Sequence, residues 1–297
     1  MAKQRIISDK EAIGLMAKFV SSVSEEEFFT EMNESGYDIL LDFSSDDFLE
    51  PGYQIVTVCQ QENPNIIVVL NRGLSWHHQT LKGFLQEWPD ISAAFASKPP
   101  VESDILPKKI SDIRDKKIVE EMTIIGHSRG ALAVQHNADV SCINYPNTRL
   151  IAVDSPGIKG LKVQNPNTVG YKALPNAINC WGDFAFEENH VILNHTKFTE
   201  KGFFQASCDL HGIKGIYDNF EKQQPLKQPY TFELAYMTFC TLGGKMGFIS
   251  SSMLLFSGLA LQNSIMSEEH YAASLLPCVE ESKDEVELFG SSEGCWI

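Results

Sequence analysis

Met122-Thr-Ile-Ile-Gly126-His127-Ser128-Arg129-Gly130-Ala131-Leu-Ala-Val134 is the stretch on which the fold turns. Its first four residues are apolar or β-branched, as a short buried strand requires. Its last four are small or apolar and suit a helix packed against that strand. Between them Gly126 and Gly130 stand two residues before and two after Ser128. A strand that turns straight into a helix leaves no room for side chains at those two positions and lifts the residue between them above the sheet edge. A bare Gly-x-Ser-x-Gly is expected by chance roughly 0.1 times in a chain of this length. The flanking strand and helix therefore carry the weight. The ordinary alternative is a glycine-rich turn without chemistry.

Working outward, Tyr53–Cys59 and Ile66–Leu70 are two β-rich runs separated by Asn63-Pro64-Asn65, which has turn chemistry, so they predict a pair of strands. The second is apolar on both faces, as a central covered strand would be, and ends at Asn71-Arg72-Gly73. Asp104 to Glu121 predicts a partly helical segment, Arg149–Val153 a further core strand, and Ala177–Cys180 one more. Strands alternating with helical patterns predict an α/β fold with a largely parallel sheet and helices on both faces. Upstream, Ser8 with Glu11 and Ser24 with Glu27 are capping-box signatures ahead of apolar residues at helical spacing, predicting two helices.

The chain has 297 residues, 43% of them hydrophobic and 21% charged, which is enough to bury a large core and rules out wholesale disorder. Its net charge of −15 excludes the basic stripe of a nucleic-acid binder. That charge lies at the flanks. Residues 21–50 hold ten acids and no Lys or Arg, and residues 267–297 hold eight acids against Lys283. The acids of 21–50 fit no calcium-loop spacing and read as a solvated face. Seven widely spaced cysteines without a Cys-x-x-Cys pair support neither a metal site nor a disulfide framework. No cofactor and no metal are expected. The opening residues lack the apolar core of a signal peptide, so a cytoplasmic location, or delivery without a cleaved leader, is the expectation.

The organisation read from these patterns is an acidic helical segment over 1–50 packing on the core, an α/β core over 51–225, an apolar helical extension over 226–266 and an acidic tail over 267–297. Within the extension, residues 234–261 are long enough to cross a bilayer, but Lys245 at the middle would cost about 2.5–3.5 kcal/mol. Two buried helices in a cap are the expected reading, and a peripheral membrane-docking element is the alternative.

Residues 50–220 resemble class 3 (fungal-type) lipases of the α/β-hydrolase superfamily. Beside Gly126-His-Ser-Arg-Gly130, the segment Ile66-Ile-Val-Val-Leu-Asn-Arg-Gly73 is similar to that family's strand leading into its oxyanion loop. Leu150-Ile-Ala-Val-Asp-Ser-Pro-Gly157 is similar to the strand after its elbow helix, and Ala177-Ile-Asn-Cys-Trp-Gly-Asp183 to the strand ending in its catalytic aspartate. The resemblance implies a serine hydrolase of lipid or other carboxylic esters, with Ser128 as nucleophile and the backbone N–H of Arg129 as an oxyanion donor. Two positions depart from the family pattern. Arg129-Gly130-Ala131 replaces Leu-Gly-Gly, and Leu74 stands where Ser or Thr is usual, leaving the Leu74 backbone or Ser75 as second oxyanion donor.

The order nucleophile, acid, base leaves two acids, Asp154 and Asp183. The resemblance favours Asp183, because it places a Gly at position 154. For the base, the elbow points His127 away from Ser128 and His136 lies within the elbow helix. His190 and His195 follow Asp183 by only seven and twelve residues. His211 precedes a helix-like run with Ile213, Ile216, Tyr217 and Phe220, as the family's base does, so it is favoured over His195 and His270. A thioesterase would use the same residues, and a catalytically silent scaffold binding a protein or membrane would keep the fold without the reaction.

Overall fold

The computed structural model describes residues 7–22, 24–46, 48–49, 53–73, 99–158, 160–174, 176, 179, 185–193 and 209–226. Two helices lead, α1 (Asp9–Ser21) and α2 (Glu25–Glu34), each capped at its N-terminus. Ser8 Oγ accepts from Glu11 N at 3.1 Å and Ser24 Oγ from Glu27 N at 3.2 Å, satisfying amides that the first turn leaves without partners. The Glu11 carboxylate accepts a hydrogen bond from Tyr37 Oη at 2.7 Å. On α2 the acids Glu25, Glu26, Glu27 and Glu34 are exposed while Phe28 and Met32 are buried, and no group of acids, His or Cys among the described residues is arranged to hold a metal.

Among the described residues, eight strands form one sheet in sequence order: β1 (Tyr37–Ile39), β2 (Gln54–Gln60), β3 (Ile66–Arg72), β4 (Glu121–His127), β5 (Thr148–Val153), β6 (Thr168–Lys172), β7 (Asn189–Ile192) and β8 (Gln223–Pro225). β1 to β3 pair antiparallel, β3 to β7 run parallel, and β8 returns antiparallel on β7. Side chains alternate across this sheet as strand geometry demands. Ile66, Val68 and Leu70 of β3 join α1 and α5 (Ile213–Asp218) on one face. Ile67 and Val69 join α3 (Ile105–Lys116) and α4 (Arg129–Asn137) on the other. Beyond α1, the Phe19, Phe28 and Phe48 rings cluster with centroids 5.2–6.3 Å apart, and the Arg72 guanidinium lies 5.1 Å from the centre of the Phe19 ring.

This is an α/β-hydrolase-type fold, a largely parallel sheet covered on both faces with a strand–turn–helix at its centre. One expected element moves. The strand after β5 is Thr168–Lys172; Asn179 lies in a turn, and the other residues of the expected strand, Ala177, Ile178 and Cys180, lie outside the described residues. Gly170 and Lys172 dilute the apolar pattern of β6. A Cβ at Gly170 would stand 2.2 Å from Asn189 Oδ1 across the β6–β7 pair, so any side chain there would have to displace the Asn189 amide. The expectations for 234–261 and for 267–297 lie outside the described residues. Among the described residues no helix is long and apolar enough to cross a membrane.

Candidate active site

The carboxyl ends of β3, β4 and β5 are level. Asn71 is opposite Gly126 and His127 is opposite Val153. In open α/β sheets ligands bind just beyond this edge. Ser128 follows β4 with φ 56° and ψ −124° and caps α4 without using its side chain, so the hydroxyl is not consumed by the helix. Its N–H donates to Val153 O at 2.9 Å, which ties the turn to β5. The two flanking glycines are obligatory. A Cβ on Gly126 would lie 2.4 Å from Gly130 O, and one on Gly130 would lie 2.1 Å from Asn71 O. Asn71 fixes that contact by donating through Nδ2 to Ile125 O at 3.0 Å and accepting from Tyr53 Oη at 2.9 Å.

The backbone N–H of Arg129 stands at the first turn of α4, where the helix dipole favours developing negative charge. Gly73 lies directly against it, and a Cβ at position 73 would be 2.8 Å from Arg129 N and 2.9 Å from Gly130 N. The absence of a side chain at 73 keeps that backbone edge open. Leu74 and Ser75, the second oxyanion donors expected from sequence, lie outside the described residues.

One residue beyond β5, Asp154 also adopts a positive φ, 45°, and its N–H donates to Tyr171 O at 2.7 Å. Ser128 and Asp154 thus occupy equivalent places on adjacent parallel strands, about 5 Å apart by strand spacing. His211, immediately ahead of α5, is fully buried, and its Nδ1–H donates to Asp154 Oδ2 at 2.6 Å. The other ring nitrogen, Nε2, is buried without a hydrogen-bond partner among the described residues. That asymmetry is what a general base needs: one nitrogen anchored, the other held for a proton.

Burial alone would push the Asp154 carboxyl up. The hydrogen bond and charge of His211, the Lys172 ammonium and the Asn179 amide more than reverse this and hold it below its ordinary value. His127 sits against the same ring, with centroids 4.8 Å apart, and its Nε2–H donates to His211 O at 2.9 Å. Burial and the neighbouring His211 push His127 down to about 3, so it is neutral at pH 7. Sequence reasoning set His127 aside as a base, and in the structure it props the backbone of His211.

The structure pairs His211 with Asp154 and sets Ser128 and Arg129 at the end of the adjacent strand. Asp183, favoured from sequence, and His195 lie outside the described residues, and His211 Nδ1 is engaged by Asp154. His136 is exposed on α4, while His190 bonds Glu188 at 3.0 Å and stacks on Tyr171, away from the elbow. Asn176 and Asn179, which also hold Asp154, were missed; two asparagines three apart just after a strand were the available signal.

No protein-family model and no curated protein matches the chain. Several solved structures are similar in fold. A mutant of the protein MDLA from Penicillium cyclopium is 11% identical with a TM-score of 0.43, over 76% of this chain and 91% of that one. Lip2 lipase from Yarrowia lipolytica is 10% identical with a TM-score of 0.39, over 62% and 77% of the two chains. Rhizomucor miehei lipase in a propeptide complex is 9% identical with a TM-score of 0.37, over 63% and 70%.

Proposed function

We propose that this protein is a serine hydrolase of carboxylic esters, acting through an acyl-enzyme on Ser128 with His211 as base and Asp154 as the acid that orients it. The observation that carries the reading is the buried His211–Asp154 pair, at 2.6 Å, beside an elbow serine with φ 56°. His211 Nε2 takes the Ser128 hydroxyl proton as Oγ attacks the ester carbonyl. The Arg129 N–H stabilises the oxyanion, and the protonated His211 then delivers its proton to the departing alkoxide. Water, activated by the same Nε2, releases the acid and restores Ser128. Asp154 stays ionised throughout and stabilises the imidazolium.

Asp154 takes the acid role in preference to Asp183 because it already occupies His211 Nδ1. Lipid esters are the substrate class that the sequence resemblance implies.

A fluorophosphonate probe tests the reading. Wild type should label and Ser128→Ala should not; an unlabelled wild type refutes the hydrolase and leaves the silent scaffold. Asp154→Asn should lower kcat by about 10⁴-fold, the size known for such a loss. Asp183→Asn should retain most activity; the reverse pattern would return the acid to Asp183.

A further inference from the structure

The Asp154 carboxylate does not sit in an ordinary loop. Asn176 Nδ2 donates to its Oδ2 at 3.0 Å, Asn179 Nδ2 to its Oδ1 at 2.8 Å, and Ala173 N to the same Oδ1 at 2.8 Å. Both asparagines are completely buried. They also brace one another: Asn176 N donates to Asn179 Oδ1 at 3.0 Å, and Asn179 N to Asn176 Oδ1 at 3.1 Å. The remaining amide hydrogens go to Ala173 O and Leu174 O, at 3.1–3.2 Å. Each side chain is therefore held in one orientation, with an N–H aimed at the carboxylate. Lys172, also buried, donates to Ser155 O and, at 3.4 Å, to Asn179 O, fastening the bracket to the residue after Asp154.

From this geometry we infer that Asn176 and Asn179 are positioning residues of the reaction: a two-amide bracket that makes Asp154 an obligate acceptor toward His211 and so fixes the base in its Nδ1–H tautomer. The inference rests on the hydrolase reading above. With amide donors on both oxygens, only a hydrogen-bond donor is accommodated at the remaining site, and His211 Nδ1–H fills it. A nitrogen lone pair at Nδ1 would face the carboxylate, and Nε2 would then carry the proton and be unable to take one from Ser128. Among the described residues, the charged or titratable groups facing Asp154 are His211 from the segment ahead of α5, Lys172 from β6 and His127 from β4.

The test compares Asn176→Ala, Asn176→Asp, Asn179→Ala and Asn179→Asp in the full chain, each checked for a native thermal transition. Asn→Ala removes a donor from the carboxylate, leaving it more basic. Asn→Asp keeps the shape and sets a second carboxyl against it. Each variant should lose about tenfold to a hundredfold in kcat with KM little changed. The acid limb of the pH–rate profile should move to higher pH by about one unit, further for Asp than for Ala. The far-downfield proton resonance of His211 Nδ1–H should broaden or vanish in every variant, a readout that needs no turnover.

Wild-type kcat and an unmoved acid limb in folded variants, with the resonance retained, would overturn the bracket while leaving the hydrolase standing. A wild type that shows the resonance but never labels at Ser128 would instead remove the hydrolase, and the bracket's catalytic role with it. If the position 179 variants fail to fold, the position 176 pair decides alone.

Discussion

Ser128 carries a backbone conformation that L-residues avoid, at a cost of about 1–3 kcal/mol. The cost persists because Gly126, Gly130 and the Ser128 N–H bond to Val153 O over-determine the turn. Ser128→Gly should accordingly unfold at higher denaturant, with about 1 kcal/mol added stability, while losing all probe labelling. A variant that labels, or one that is less stable, would contradict the elbow. His127 makes a second prediction at this scale. Between about pH 6.5 and about pH 3 the unfolded chain protonates His127 and the native protein does not. Stability must therefore fall as pH falls through that window, by up to about 1.4 kcal/mol for each unit. His127→Gln, which keeps a donor for His211 O, should flatten that part of the curve measured by urea unfolding.

Among the elements, β2 to β5 were legible because their β-branched runs are long and bounded by turn residues, and α1 and α2 because their caps are written in Ser-x-x-Glu. β6 was not. Two of its five residues are Gly170 and Lys172, and the close approach of the Asn189 side chain to the glycine exists only once β7 is alongside. The elbow at Ser128, the proposed nucleophile, could be read from its own neighbours. The pairing of Asp154 with His211 could not, since what distinguishes Asp154 is that β5 lies directly beside β4 in parallel register, and no local pattern records strand order. His211 was legible as the residue ahead of the apolar spacing of α5. Its partner depended on the sheet. The β4–α4 junction is the least forgiving element: Gly130→Ala should yield little folded protein by soluble expression and circular dichroism, because the obstructing atom is the backbone carbonyl of Asn71, which cannot move without breaking β3 from β4.

Across the whole molecule, α1 is fastened to the sheet by a polar tie. Asp9 accepts from Arg149 Nη2 and from Tyr171 Oη, both at 2.8 Å, so one carboxylate joins the first helix to β5 and β6. Arg149 is only 8% exposed, and removing its partner leaves a guanidinium with little water. Asp9→Asn should cost about 2–3 kcal/mol by urea unfolding, with kcat per folded molecule unchanged. A neutral result would show that the tie only breaks even against hydration.

That same helix also backs α5. Gly14 lies close enough to the Tyr217 ring that a Cβ would stand 2.8 Å from it, and Lys10 reaches Glu221 across 211 positions of chain. On a ribosome adding about 5–20 residues per second, those two segments emerge roughly 10–40 s apart. The nascent chain can lay α1 on β3 and β4 well before α5 exists, so the segment that carries His211 is seated after the centre of the sheet. On the proposed reading, a chain caught earlier would have the centre of its sheet and its elbow but no base.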